Sequence, residues 1–171
     1  NDGHRALVLY PMLAPVRRDE RQPALLLQEL KRSGKGVQEV IDLSPFENEG
    51  AFLEGTGSMV LDRPQRVIFA VLSPRTHRSV LEVLASRLGY QLVMFHSVDA
   101  AGKPIYHTNV MMGMGKDFCV ICLDSIANSD ERQQVVEELQ RLGKTIIPIS
   151  LEQVNNMCGN VIELQSAGGA R

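Results

Sequence analysis

The sequence has no tryptophan and only three tyrosines and five phenylalanines among 171 residues, so large aromatic anchors are scarce. Its three cysteines fit neither a disulfide framework nor a zinc-ribbon spacing, which points to a reducing, cytoplasmic setting. No apolar run approaches the roughly 18 residues that a membrane span needs. The 18 basic and 20 acidic residues leave a net charge of −2, without the basic footprint that nucleic acid or an anionic membrane calls for. No secretory signal pattern opens the chain, and because it begins at Asn1 rather than methionine, further residues are expected upstream. What remains is 44% hydrophobic and 22% charged residues, the balance of a globular protein with a packed core.

The main positive signal is a repeat. Three segments read as amphipathic helices, each stopped by a glycine suited to the left-handed conformation past the last turn. The first covers about Pro23 to Ser33, with Leu26, Leu27 and Leu30 on one face, and stops at Gly34. The second opens with Ser73 as cap and Pro74 in the first turn, and stops at Gly89. The third opens near Ser129, turns Val135, Val136, Leu139 and Leu142 inward, and stops at Gly143. These glycines are spaced by 55 and 54 residues.

After each glycine comes a short β-rich run: Val37 to Leu43, Tyr90 to Phe95, and Thr145 to Ile149. A second strand-like segment follows each of these: Ala51 to Gly55, Ile105 to Val110, and Val161 to Leu164. Further apolar runs, Val67 to Leu72 and Phe118 to Leu123, lead toward the next helix. The expected fold is therefore α/β, a small mixed sheet plus a helix repeated as strand, strand, helix, strand. A partial copy spans about 1–44, full copies about 45–98 and 99–152, and another begins over about 153–171. Such a unit cannot bury both faces of its sheet alone, so copies must stack or close into a ring. The chain stops at Gly168-Gly169-Ala170-Arg171 just after a new unit begins, and is read as part of a larger ring. Its open edges favour association with further polypeptide or with another copy, as a homo-oligomer.

Equal positions in consecutive units carry the chemistry. Glu54 lies 20 residues after its helix-stop glycine and His107 lies 18 after its own. In a cyclic arrangement such positions point to one axis, where a carboxylate and an imidazole form an acid–base couple. Gly55 and Gly57 beside Glu54 permit a close approach, and on a strand His107 and Asn109 share a face. Taken singly, a strand glutamate is ordinarily solvated and a lone histidine ordinarily structural; the matched positions favour function. Cys119 and Cys122 have CxxC spacing, but in a buried strand their thiols face opposite ways, so core packing is expected. Cys158 sits near a strand start and could be exposed, while His4 and His77 have no motif around them and are expected to be surface residues.

Three motifs resemble the guanidino-group-modifying (pentein) superfamily: Phe52-Leu53-Glu54-Gly55-Thr56-Gly57-Ser58-Met59-Val60, Ser73-Pro74-Arg75-Thr76, and Tyr106-His107-Thr108-Asn109-Val110-Met111-Met112. Tyr10-Pro11-Met12, Arg17-Arg18-Asp19-Glu20 and Gly159-Asn160 extend the likeness over nearly the whole chain. The nearest branch is the amidinotransferase-like one that includes citrulline-utilisation hydrolases. The resemblance implies a propeller of five αβ units around a central site. It makes Glu54 the acidic partner, His107 the general acid/base, and Arg17 and Arg75 the holders of the substrate's α-carboxylate. Read as cations at helix starts, those arginines oppose the macrodipole, a conflict that an anionic ligand resolves.

The chain departs from the family pattern at informative places. Asn109 replaces the aspartate that arginine deiminases carry two residues after the histidine, and Gly57 stands where their Glu-Gly-Gly-Asp motif ends in aspartate. A neutral amide suits a ureido group better than a guanidinium, which favours citrulline over arginine. The family's nucleophilic cysteine lies in the final repeat, beyond Arg171, and Cys158 does not match it. The implied activity of the intact protein is hydrolysis of a non-peptide C–N bond of a ureido or guanidino amino acid, citrulline foremost, through a covalent cysteine intermediate, without metal or organic cofactor, nucleic acid or membrane. Amidinotransferase or arginine deiminase activity is the alternative, and a non-catalytic amino-acid-binding relic is the alternative of another class.

Overall fold

The structure, a computed structural model, describes residues 5–164; His4 and the end of the chain at Gly168–Arg171 lie outside them. The first unit holds β1 (Ala6–Leu9), α1 (Pro15–Arg18), α2 (Pro23–Arg32) and β2 (Glu39–Asp42), with β1 and β2 paired in parallel. The second holds β3 (Val60–Asp62), β4 (Val67–Val71), α3 (Arg78–Leu88) and β5 (Gln91–Phe95). The third repeats it with β6 (Met112–Met114), β7 (Phe118–Ile121), α4 (Ser129–Arg141) and β8 (Thr145–Pro148), and α5 (Leu151–Asn155) follows. In both of these units an antiparallel hairpin is extended by a parallel strand across the helix. A parallel pairing needs such a crossover, which explains why the helix stands where it does.

β4 shows how the layers stack. All five of its residues are buried, so it reads as a continuous apolar run. Because side chains alternate, Ile68 and Ala70 pack with Val80, Leu81 and Leu84 of α3, while Val67, Phe69 and Val71 face Val135 and Leu139 of α4. Sheet and helix therefore alternate through the molecule, as in a propeller. α2 differs: none of its residues is buried, and Leu25 and Leu26 are 56% and 43% exposed. α4 inserts Val135 and Leu139 fully, Leu142 just past its end is also buried, and Val136 is only partly covered. The helices stop as expected, with Gly34, Gly89 and Gly143 at φ of +70°, +68° and +70°.

Several expected boundaries move. The segments Ala51 to Gly55, Ile105 to Val110 and Val161 to Leu164 are not strands. The first has a single bridge, between Leu53 and Thr76, in place of a strand ladder, and the second ends in a short 3₁₀ turn, Thr108–Val110. Each full unit instead opens with a three-residue strand just downstream, β3 or β6, where the apolar signal is too short to register. Ser73 does not cap α3: Ser73 and Thr76 close a tight turn on each other, and the helix starts at Arg78 with His77 before it. β7 ends at Ile121, so the opposite-face argument does not reach Cys122; both thiols lie buried in one core cluster. Among the described residues, no helix is long and apolar enough to cross a membrane.

Buried polar groups join the units. Asp62, at the end of β3, lies 2.8 Å from Lys144 Nζ, both side chains almost fully buried. Lys144 directs its protons to the carbonyls of Lys116 and Gly115, at 2.6 and 3.3 Å. Asp62 Oδ2 has no aligned hydrogen bond, so the contact with the lysine is ionic.

Candidate active site

The loops that enter β3 and β6 meet at one end of the sheets, beside the loops that leave β1 and β4. Such strand ends are where α/β folds gather ligands. The first loop is held on both sides: Leu53 N–H donates to Pro11 O at 3.0 Å, and His77 N–H to Phe52 O at 2.8 Å. Glu54 follows, then a turn through Gly55 (φ +61°) that doubles back to Ser58. Ser58 Oγ accepts from Glu54 N–H and donates to Arg75 O, both at 2.9 Å. Thr108 Oγ1 ties the second loop in, donating to Ser58 O at 2.6 Å and accepting from Val71 N–H at 2.8 Å.

This scaffold brings Glu54 and His107 into contact. Glu54 Oε2 lies 2.8 Å from His107 Nε2 and 3.3 Å from Arg75 Nη1, while Oε1 accepts from Leu13 N–H at 3.1 Å. The carboxylate is only 1% exposed, and these partners offset the cost of burying its charge. A Cβ on Gly57 would lie 3.0 Å from His107 Cε1 and Nδ1, so any larger residue there presses on the ring. Arg75 lies over the Tyr106 ring at 4.8 Å, and that ring is 4.8 Å from the His107 ring. Burial pushes the His107 proton affinity below its ordinary value; Glu54 opposes this, while Arg75 and Arg17 add to it.

Beside the pair, a cleft of about 360 Å³ is lined by Tyr10, Met12, Arg17, Glu20, Leu26 and Glu54 among others. Burial raises the Tyr10 phenol, against the pull of Arg63. The floor of this region is fixed by Glu47, which accepts from Met12 N–H at 2.7 Å and pairs with Arg18 and Arg21. Burial works to raise Glu47, but bonds from Arg21 and Met12 outweigh it and hold its carboxyl below the ordinary value.

Sequence-derived site residues are placed as follows. Glu54, His107 and Arg75 touch one another. Arg17 reaches the cleft wall, where its fork is held by Glu20 at 3.1 to 3.3 Å. Arg17 is the third residue of the single-turn α1, which is too short to set up the expected dipole conflict, and Arg75 precedes α3 within the Ser73–Thr76 turn. Asn109 does not share a strand face with His107, because the backbone coils there; its N–H donates to Gly57 O at 3.2 Å, beside the Glu54 loop. Cys158 is half-buried, and no cysteine lines the cleft. No group of three or more metal-type side chains gathers among the described residues.

Sequence reading missed Ser58, Thr108, Glu47, Tyr106 and His77 as parts of the site. The hydroxyls stand inside the quoted motifs, and hydroxyls flanking both functional residues were the available signal. Glu47 gives none, since its arginine partners lie 26 and 29 residues away.

No curated protein matches the chain significantly in sequence. Solved structures share its fold. The N-terminal domain of ArgZ, an arginine dihydrolase from cyanobacteria, bound to substrate, is 15% identical with a TM-score of 0.67, over 93% of this chain and 54% of that one. AgrE in ternary complex with ornithine and NAD+ is 19% identical with a TM-score of 0.69, over 93% and 21%. Inosamine-phosphate amidinotransferase StrB1 from Streptomyces griseus is 9% identical with a TM-score of 0.51, over 85% and 59%. The chain thus spans about half the length of the ArgZ domain. The sequence family described as "N,N dimethylarginine dimethylhydrolase, eukaryotic" matches residues 2–171. Together with the Glu54 and His107 motifs, that match places the chain in the pentein superfamily, within the eukaryotic N,N-dimethylarginine dimethylhydrolase family.

Proposed function

We propose that the chain carries the acid–base and carboxylate-binding half of an active site that hydrolyses a C–N bond of a ureido or guanidino amino acid, with citrulline preferred to arginine. The observation that carries this reading is the buried Glu54–His107 contact at 2.8 Å, flanked by Arg75 and adjoining the cleft that Arg17 and Glu54 line. Glu54 engages Nε2, so Nδ1 is the atom left to exchange protons with substrate. The substrate's α-carboxylate sits on Arg17 and Arg75, as planar forks suit it.

A cysteine thiolate from outside the described residues attacks the ureido carbon. His107 gives its proton to the departing nitrogen, then takes one from the water that cleaves the carbon–sulfur bond, so that the sulfur leaves as thiolate and His107 is again protonated. Arg75 and Arg17 both depress the proton affinity of His107. A bound carboxylate offsets those two cations, so substrate itself prepares His107 to act as an acid. Asn109, two residues after His107, brings a neutral side chain and no carboxylate to pair with a guanidinium, which supports the ureido preference.

A second reading is a binding module that keeps the amino-acid pocket without turnover; it is favoured by the placement of Cys119 and Cys122 in the core, where burial pushes the Cys119 thiol up to about 12. One experiment separates the two. Full-length protein is assayed for ammonia from citrulline and arginine, and for dimethylamine from N,N-dimethylarginine, beside calorimetric binding of the same compounds. Citrulline turnover exceeding the others supports the proposal, and Asn109→Asp should shift it toward the cations. Binding without turnover supports the module, and a preference for a guanidino substrate overturns the account of Asn109.

A further inference from the structure

His77 carries no function in the family motifs, yet it is bonded to the segment that presents Glu54. Its ring Nδ1 lies 2.9 Å from Phe52 N–H, and its own N–H donates to Phe52 O at 2.8 Å, so the two residues are held by a reciprocal pair. The Phe52 ring meets the imidazole edge-on, with centroids 5.6 Å apart. Nδ1 also lies 3.3 Å from Phe52 O, but that carbonyl already accepts the His77 N–H. Only a ring with Nδ1 bare satisfies the Phe52 N–H as well. The next residue, Leu53, is fully buried and bridged to Thr76 on this side and to Pro11 on the other. Phe52, Leu53 and Glu54 therefore take their position from the stretch Arg75–Thr76–His77, through a side chain at each end and the backbone between.

We propose that His77 is a positioning residue for the Glu54–His107 couple, acting as a hydrogen-bond acceptor at Nδ1 that fixes the Phe52 amide and hence the aim of the Glu54 carboxylate. The proposal rests on the acid–base role given to that couple. Its consequence is asymmetric. An asparagine at this position can put an acceptor where Nδ1 stands, whereas a glutamine reaches past it to where Nε2 stands. Both are polar and close in size, so a purely structural role for His77 would treat them alike.

The test compares His77→Asn and His77→Gln in the full-length protein, with His77→Ala alongside. We expect His77→Asn to keep kcat within about twofold, and His77→Gln and His77→Ala to lose roughly tenfold in kcat with KM little changed, as a carboxylate slightly out of place implies. The ring titration of His107 by NMR provides a second readout that needs no turnover. It should shift in His77→Gln in the direction seen on removing the Glu54 charge, and stay at the wild-type value in His77→Asn. Equal behaviour of the asparagine and glutamine variants in both readouts overturns the proposal, as does a loss confined to KM. Absence of turnover in the wild type would instead count against the function proposed above, and the titration alone would then decide on His77.

Discussion

The loops entering β3 and β6 hold the same place in two successive units, yet they treat their functional side chains differently. Glu54 is 1% exposed and wrapped by a glycine-rich turn, whereas His107 is 15% exposed and edged by a half-exposed tyrosine. In the proposed site, one scaffold position thus supplies a fixed charge in one unit and an exchangeable proton in the next. The difference lies in what surrounds each loop. The Glu54 loop is bonded to the strand exits of β1 and β4, through Pro11, Leu13 and the Arg75 turn. The His107 loop leans on the Glu54 loop through Thr108 Oγ1 and the Asn109 N–H, and on the exit of β4 through Val71 N–H and Ser73. Repetition builds the geometry, and the two side chains are buried to different degrees within it.

The sharpest way to break that division is His107→Ala. Losing the exchangeable proton should cost about 10²–10⁴ in kcat of the full-length protein, with the fold retained by circular dichroism. Near-wild-type turnover would leave the two loops with no catalytic distinction. The next largest effect tests the joint between the units. Lys144→Met leaves Asp62 buried beside an apolar side chain and should cost about 3–5 kcal/mol in denaturant unfolding; adding Asp62→Asn should recover part of it. A loss below about 1 kcal/mol would mean that the units hold together by apolar packing alone.

How much of this was legible in the sequence depends on the scale of the signal. Gly34, Gly89 and Gly143 revealed the period because a left-handed stop is a backbone need that few residues meet. Glu54 and His107 were found as a pair because the period placed them alike. The short strands β3 and β6 escaped, since three residues carry no alternation to detect, and so their role passed wrongly to the loops before them. Ser73-Pro74 looked like a helix start but forms a tight turn, because Ser73 bonds to Arg75 N–H and Tyr106 O instead of capping α3. The Glu47 and His77 contacts rest on long-range meetings of single side chains, which no local pattern encodes.

A smaller effect sharpens the comparison from the glycine side. Gly57→Ala puts a methyl within 3.0 Å of the imidazole and should lower kcat roughly tenfold while costing about 1–3 kcal/mol, read by kinetics and thermal unfolding together. Unaltered kinetics would show that the ring does not need that space. The smallest effect is on stability with pH. His107 binds its proton less readily folded than unfolded. Stability should therefore fall as pH drops below the unfolded value of 6.5, until pH reaches the lower folded value. His107→Gln should flatten that part of the pH–stability profile, and an unchanged slope would assign it to another group.

The most direct test of the Glu54–His107 couple is the NMR titration of the His107 ring in the wild type and in Glu54→Gln. The geometry predicts a wild-type midpoint below 6.5, and a further drop when the carboxylate charge is removed, because Glu54 is the group that holds the proton against burial and the two arginines. The same midpoint in both proteins would contradict the account, since it would mean that the two side chains do not act on each other.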